Sequence, residues 1–151
     1  MGNAHDVAAY VLSRTGPLSA MKLQKLCYYS QAWSLVWDEQ PLFPERIEAW
    51  ANGPVVRSLY AQHRGQYTVH EWPMGNAAAL TVDERATVDA VIGSYNKLTA
   101  QQLSDLTHSE QPWLGARVGI PLSERSEAEI TQESMRDFYT SLAGRSDVQG
   151  V

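Results

Sequence analysis

The sequence has a single cysteine, Cys27, in 151 residues. One thiol excludes an internal disulfide and every multi-cysteine zinc site. It lies inside an apolar helical run, where a thiol is ordinarily an inert small hydrophobe rather than a nucleophile. Such cysteine usage fits a reducing, cytoplasmic compartment. Long apolar runs are missing too. None approaches the roughly 20 residues needed to cross a bilayer. The first residues, Met1-Gly2-Asn3-Ala4-His5-Asp6, contain no basic stretch leading into an apolar one, and Asp6 occupies the sixth position where a myristoylation signal has Ser or Thr. No membrane association is expected.

Positive charge is also scarce. Twelve Lys and Arg stand against seventeen Asp and Glu, for a net charge of -5, and the basic residues are scattered. Nucleic-acid binders usually carry a basic excess or stripe, so this balance argues against one. The glycines form neither Gly-x-Gly-x-x-Gly nor a phosphate-binding loop, and there is no Gly-x-Ser-x-Gly elbow. The four histidines, His5, His63, His70 and His108, form no metal-binding pair. The expectation is a non-enzymatic protein without cofactor or metal.

What is present is an ordinary globular composition, 44% hydrophobic and 19% charged. A chain this long buries about 68–70% of its unfolded surface, enough for one independent core. Helical spacing of Ala4, Val7, Ala8, Val11 and Leu12 predicts a helix to Arg14, closed by Gly16-Pro17. Ser19 caps a second helix at about 20–37, on which Leu23, Leu26, Cys27, Trp33, Val36 and Trp37 offer more apolar area than a surface helix needs. Arg46 to Trp50 alternates with period two, a short strand, with which Glu129-Ile130 could pair. Gly53-Pro54 reads as a helix start, with Pro54 at the first helical position and the helix running to His63. Thr81-Val82-Asp83-Glu84 and Thr99-Ala100-Gln101-Gln102 are capping boxes opening two more helices. Ser109 reads as the cap of a helix carrying Pro112, and Thr131 as the cap of a last helix ended by Gly144. The predicted fold is therefore mainly α: one compact domain over 1–144 around the central helix, a small β element of two or three strands near 46–50 and 129–130, and a flexible tail over 145–151.

Candidate contact residues follow from the polar side of that central helix. Gln24, Tyr28 and Gln31 fall at i, i+4 and i+7, nearly on one line. They read either as a contact face, since tyrosine and amides suit adaptable interfaces, or as anchors for neighbouring loop backbone. Trp72, in the polar loop 64–76, and His108, near a helix boundary, are weaker candidates for partner contact. Leu23, Leu26, Trp33, Trp50, Gly53, Pro54 and Trp113 read as structural.

Four ordered stretches carry a family resemblance: Met21 to Trp33 (MKLQKLCYYSQAW), Pro41-Leu42-Phe43, Ile47 to Val56 (IEAWANGPVV) and Leu106 to Trp113 (LTHSEQPW). Together they resemble the Panacea domain of SocA-like, or GepA-like phage-associated, antitoxins over about residues 4–142. One departure is Ala51-Asn52 before Gly53, where an aromatic residue is common. The resemblance implies a mostly helical antitoxin that neutralises a cognate protein toxin by direct binding. It implies as alternatives an adaptor that delivers the toxin to a AAA+ protease, and, because antitoxins often repress their own operons, a DNA-binding autoregulator.

Overall fold

Helix α2, Ala20–Trp37, is the element around which the chain is arranged, and its sequence explains why. Ser19 caps it, accepting a hydrogen bond from the Lys22 backbone N–H at 3.2 Å. From Leu23 to Leu35 every side chain on it is buried. The computed structural model describes the backbone of residues 3–149 and the side chains of residues 3–144.

Seven helices and five short strands occur among the described residues. Helix α1, Ala4–Thr15, starts with a capping box between Asn3 and Asp6 and packs on α2. Strand β1, Leu18–Ser19, leads into α2; β2, Ile47–Trp50, and β3, Gly53–Val56, form a hairpin that feeds α3, Arg57–His63. Strand β4, Thr68–Val69, pairs antiparallel with β1. A 3-10 turn at Ala77–Ala79 precedes α4, Val82–Tyr95, and α5, Ala100–His108, each opened by its capping box. Helix α6, Gln111–Ala116, strand β5, Glu129–Ile130, and α7, Gln132–Gln149, complete the chain. Helices α1, α4, α5 and α7 and strand β3 all pack against α2. The three-stranded sheet has the order β3-β2-β5 and is antiparallel throughout.

The mainly α class, the central helix and the pairing of 129–130 with the strand near 46–50 are as the sequence indicates. Three local expectations differ, and one strand pair had no counterpart in the sequence reading. Gly53-Pro54 does not start a helix; it begins β3, across a two-residue turn at Ala51-Asn52. Gly53 has φ +121°, a region favouring glycine, and Pro54 sits on an edge strand opposite Ala49, where its missing N–H interrupts no inner ladder. Ser109 closes α5 rather than opening α6, bonding the Leu106 carbonyl at 2.7 Å. The β1–β4 pair was not legible, because two residues carry no periodicity. Gly144 does not end the last helix: α7 continues to Gln149, through most of the predicted tail.

The largest difference concerns the polar stripe of α2. Gln24, Tyr28 and Gln31 are not a surface; they are 3%, 1% and 1% exposed. Gln31 Oε1 accepts the backbone N–H of Leu42 at 2.7 Å and of Phe43 at 3.3 Å, and its Nε2 donates to the Phe43 carbonyl at 2.9 Å. The amide thus stands in for a missing strand partner of the 41–43 segment. Tyr28 shares a 3.1 Å hydrogen bond with the hydroxyl of Tyr139 on α7. Orphaning a buried polar group costs about 1–3 kcal/mol. Gln31→Leu, which orphans three, should lower unfolding stability by about 3 kcal/mol in chemical denaturation. Tyr28→Phe should cost about 1 kcal/mol. Equal losses for the two variants would contradict the anchoring role.

Candidate partner-binding cleft

The hairpin β2–β3 is held from both sides by side chains of the helices. On one side a series of donors meets four consecutive carbonyls. Arg117 Nη1 donates to Ala49 O at 2.9 Å, Trp113 Nε1 to Trp50 O at 2.8 Å, and Ser104 Oγ to Asn52 O at 2.8 Å. His108 Nε2 lies 2.9 Å from Ala51 O. A carbonyl can only accept, so that nitrogen carries the proton. On the other side α2 reaches up. Gln24 Oε1 accepts from Val56 N at 2.9 Å while its Nε2 donates to Val56 O at 3.2 Å and to His63 Nε2 at 2.9 Å. Lys25 Nζ donates to Pro54 O at 3.2 Å.

Between α2, the hairpin, α3 and the loop after α6 lies a cavity of about 550 Å³. Met21, Trp50, Val55 and Tyr60 line it along with Gln24, Lys25 and His63, and exposed Arg64 and Arg125 stand at its edge. Glu127 also lines it but is paired with Arg57 at 3.2 Å. Glu48, buried beside the cleft, is covered by Arg46 at 3.3 Å and Arg57 at 3.7 Å and accepts from Trp50 Nε1 at 2.9 Å. The carboxylates here are therefore matched by cations.

Lys25 is not matched. It is 1% exposed, and no carboxylate among the described residues lies within ion-pair distance of it. Burial brings its ammonium down from an ordinary 10.5 to about 8. Burial also holds His63 below its usual value, and the Lys25 charge adds to that, against a backbone hydrogen bond that raises it. The Gln24 amide donating to Nε2 fits a neutral His63 with its proton on Nδ1.

A second buried polar cluster lies where α2, α6 and α7 meet. Glu110 Oε1 accepts from Tyr29 at 2.7 Å and from Tyr139 at 2.8 Å. Burial raises the Glu110 carboxyl, and the two hydroxyl bonds oppose that rise. This cluster lies in the packed interior and lines neither cleft wall nor surface. Burial pushes the Cys27 thiol up to about 12, as for an inert core residue.

Of the sequence-predicted contact residues, only Gln24 reaches the cleft. Tyr28 and Gln31 are interior. Trp72 is buried, donating from Nε1 to His5 Nδ1 at 3.0 Å and so fastening its loop to α1. His108 is half-buried under the hairpin turn. The correction has one main cause: Gln24, Gln31 and His108 meet backbone groups, and Tyr28 and Trp72 meet buried or half-buried side-chain partners, across the assembled core. Lys25, His63 and Glu110 were missed as site or network residues. A lysine at an otherwise apolar helix position, one residue after Gln24, was the available signal for the first.

Comparison with protein families decides the broader identity. The family model for the antitoxin SocA-like, Panacea domain matches residues 23–114, more than half of the chain. The chain belongs to that family. The match is shorter than the 4–142 expected, but it holds most of α2, the hairpin, α3 and the segment through Trp113, hence most of the cleft walls of this Panacea domain. No curated protein and no solved structure matches the chain. No helix among the described residues is long and apolar enough to cross a membrane.

The unmatched Lys25 predicts a pH signature. Below about pH 8 it is protonated in both folded and unfolded chains, and the folded state bears the burial cost. Between about 8 and 10.5 the folded state releases the proton first, so the unfolded chain binds more protons and stability rises with pH. Measured against Lys25→Met, which cancels the tyrosine and cysteine titrations, the wild type should gain about 3 kcal/mol across that window. A difference that stays flat with pH would contradict a buried, unmatched ammonium.

Proposed function

We propose that this Panacea domain is a non-catalytic antitoxin that neutralises a cognate protein toxin by binding it directly and occluding its working surface. Family membership carries the reading. The polar chemistry of the interior supports it. Gln24, Gln31, His108 and Arg117 are each committed to backbone groups rather than presented to a substrate. The face around the cleft is the proposed contact surface. Specific interfaces bury about 800 Å² per partner and concentrate affinity in a few aromatic and arginine anchors. That face offers Trp50, Tyr60, Arg64 and Arg125. Beside it Tyr67 is 85% exposed, directly after Gln66 on the cleft wall, with its carbonyl accepting the Ala20 N–H at 2.8 Å.

This surface replaces the Gln24–Tyr28–Gln31 stripe as the place of contact; Gln24 alone stays within it. The protease-adaptor reading needs a second surface and predicts dependence on the protease. The autoregulator reading predicts salt-dependent DNA retention.

The test is co-expression with the neighbouring open reading frame. That product alone should arrest growth, and this protein should restore it, in a protease-deficient strain as well. Tyr67→Ala should fold normally by circular dichroism yet weaken the toxin complex about tenfold, an effect of about 1.4 kcal/mol. A harmless neighbour would remove the antitoxin reading. Rescue confined to protease-containing cells would replace occlusion by delivery.

A further inference from the structure

The cleft floor holds one group whose chemistry is incomplete. Lys25 places an ammonium with three N–H donors in the interior. One donor meets the Pro54 carbonyl at 3.2 Å, and among the described residues no other acceptor is hydrogen-bonded to it. The hairpin runs close beside it: a Cβ on Gly53 would lie 2.6 Å from Lys25 Cε and 3.0 Å from Nζ, so a larger residue at 53 would displace the lysine tip. Buried charges are ordinarily paired. Here the carboxylates nearest the cleft are already taken. Glu48 faces Arg46 and Arg57, and Glu127 faces Arg57. His63, which burial disfavours as a cation, supplies no negative charge either. Arg64 and Arg125 at the edge, which pair with no carboxylate among the described residues, add positive charge to the mouth, in a chain whose net charge is -5.

We propose that this cleft receives a carboxylate carried by the partner polypeptide, an acidic side chain or a chain terminus, whose oxygens bond Lys25 while Trp50 and Tyr60 pack against the residues bearing it. The proposal rests on the protein-contact reading above. One buried positive charge is matched by one negative charge. A phosphate, with close to two charges and three acceptor oxygens, calls for an arginine fork or a nest of backbone N–H groups, and the floor has neither. A cavity of about 550 Å³ is large enough for a side chain and its neighbours rather than for a bare ion. The aromatic walls select a carboxylate on an organic stem. Pairing would also relieve the desolvated charge that the free protein bears, so the contact gains from a defect already built into the unbound state.

The test has two arms. In the first, sodium acetate is titrated into the full-length protein at constant ionic strength, with acetamide as the neutral control, and the Lys25 side-chain and Trp50 indole resonances are followed by NMR. Acetate should shift both saturably; acetamide should not, and Lys25→Met should abolish the saturable Trp50 shift. Equal responses to acetate and acetamide, or none, would overturn the site and leave Lys25 a tie to Pro54 only. In the second arm, the purified product of the neighbouring reading frame is titrated into wild type and Lys25→Met. The variant, which removes a buried charge and should keep its cooperative unfolding, is expected to bind at least tenfold more weakly. Acetate binding together with an unaltered affinity for that product would overturn the partner-borne source and assign the site to a free carboxylate. A wild type that takes acetate but does not hold that product would overturn the contact reading and the partner-borne source together, while the carboxylate site itself stands.

Discussion

Buried side chains of the helices satisfy the backbone of the segments that are not helical, and the arrangement of the molecule depends on this. Gln31 closes the hydrogen bonds of Leu42 and Phe43, and Gln24 those of Val56. The 41–43 segment has no strand partner and β3 is an edge strand, and an unpaired buried peptide group costs about as much as a lost hydrogen bond. An amide side chain, with a donor and an acceptor in one plane, mimics the missing strand neighbour. Helix α2 therefore acts as a scaffold in two respects. Its apolar groups fill the core, and its amides fix the 41–43 segment and the end of β3.

The same principle orders the far side of the β2–β3 hairpin. Arg117, Trp113, His108 and Ser104 serve the carbonyls of Ala49, Trp50, Ala51 and Asn52 in turn. Two sets of donors from opposite sides leave the hairpin little freedom, so the cleft it walls is set before any partner arrives. A pre-formed surface loses little conformational entropy on binding. Within this scheme the exceptions among the described residues are Ser30 Oγ, Ser58 Oγ, Asn96 Oδ1 and Arg117 Nε, which are buried without a partner, and Lys25, a cleft-lining ammonium with one acceptor.

How far the sequence could be read depended on whether a signal was local. Capping boxes at Thr81 and Thr99 and the cap at Ser19 were legible, because capping is decided within three or four residues. The strand at Ile47–Trp50 was legible from alternation, and Glu129-Ile130 pairs with it as expected. Gly53-Pro54 misled, because a proline after glycine fits a helix start and an edge strand equally well; pairing with β2 decided it. The polar line Gln24, Tyr28, Gln31 was found correctly as a line, with contact face and anchor both left open; the burial of all three fits the anchor. Spacing tells which residues share a face of a helix and not what covers that face.

The sequence by itself determined the mainly helical class, the central helix, most helix starts and the family, because propensity, capping and ordered motifs are written in short stretches of chain. The tertiary structure alone decided that the polar stripe faces inward, that Glu110 is held by Tyr29 and Tyr139, and that Lys25 lies unmatched beneath the hairpin at the floor of a cleft. Whether a polar group is a contact, an anchor or an unfilled site depends on which distant groups folding brings to it, and residues 25, 54 and 110 meet their neighbours only across the assembled core.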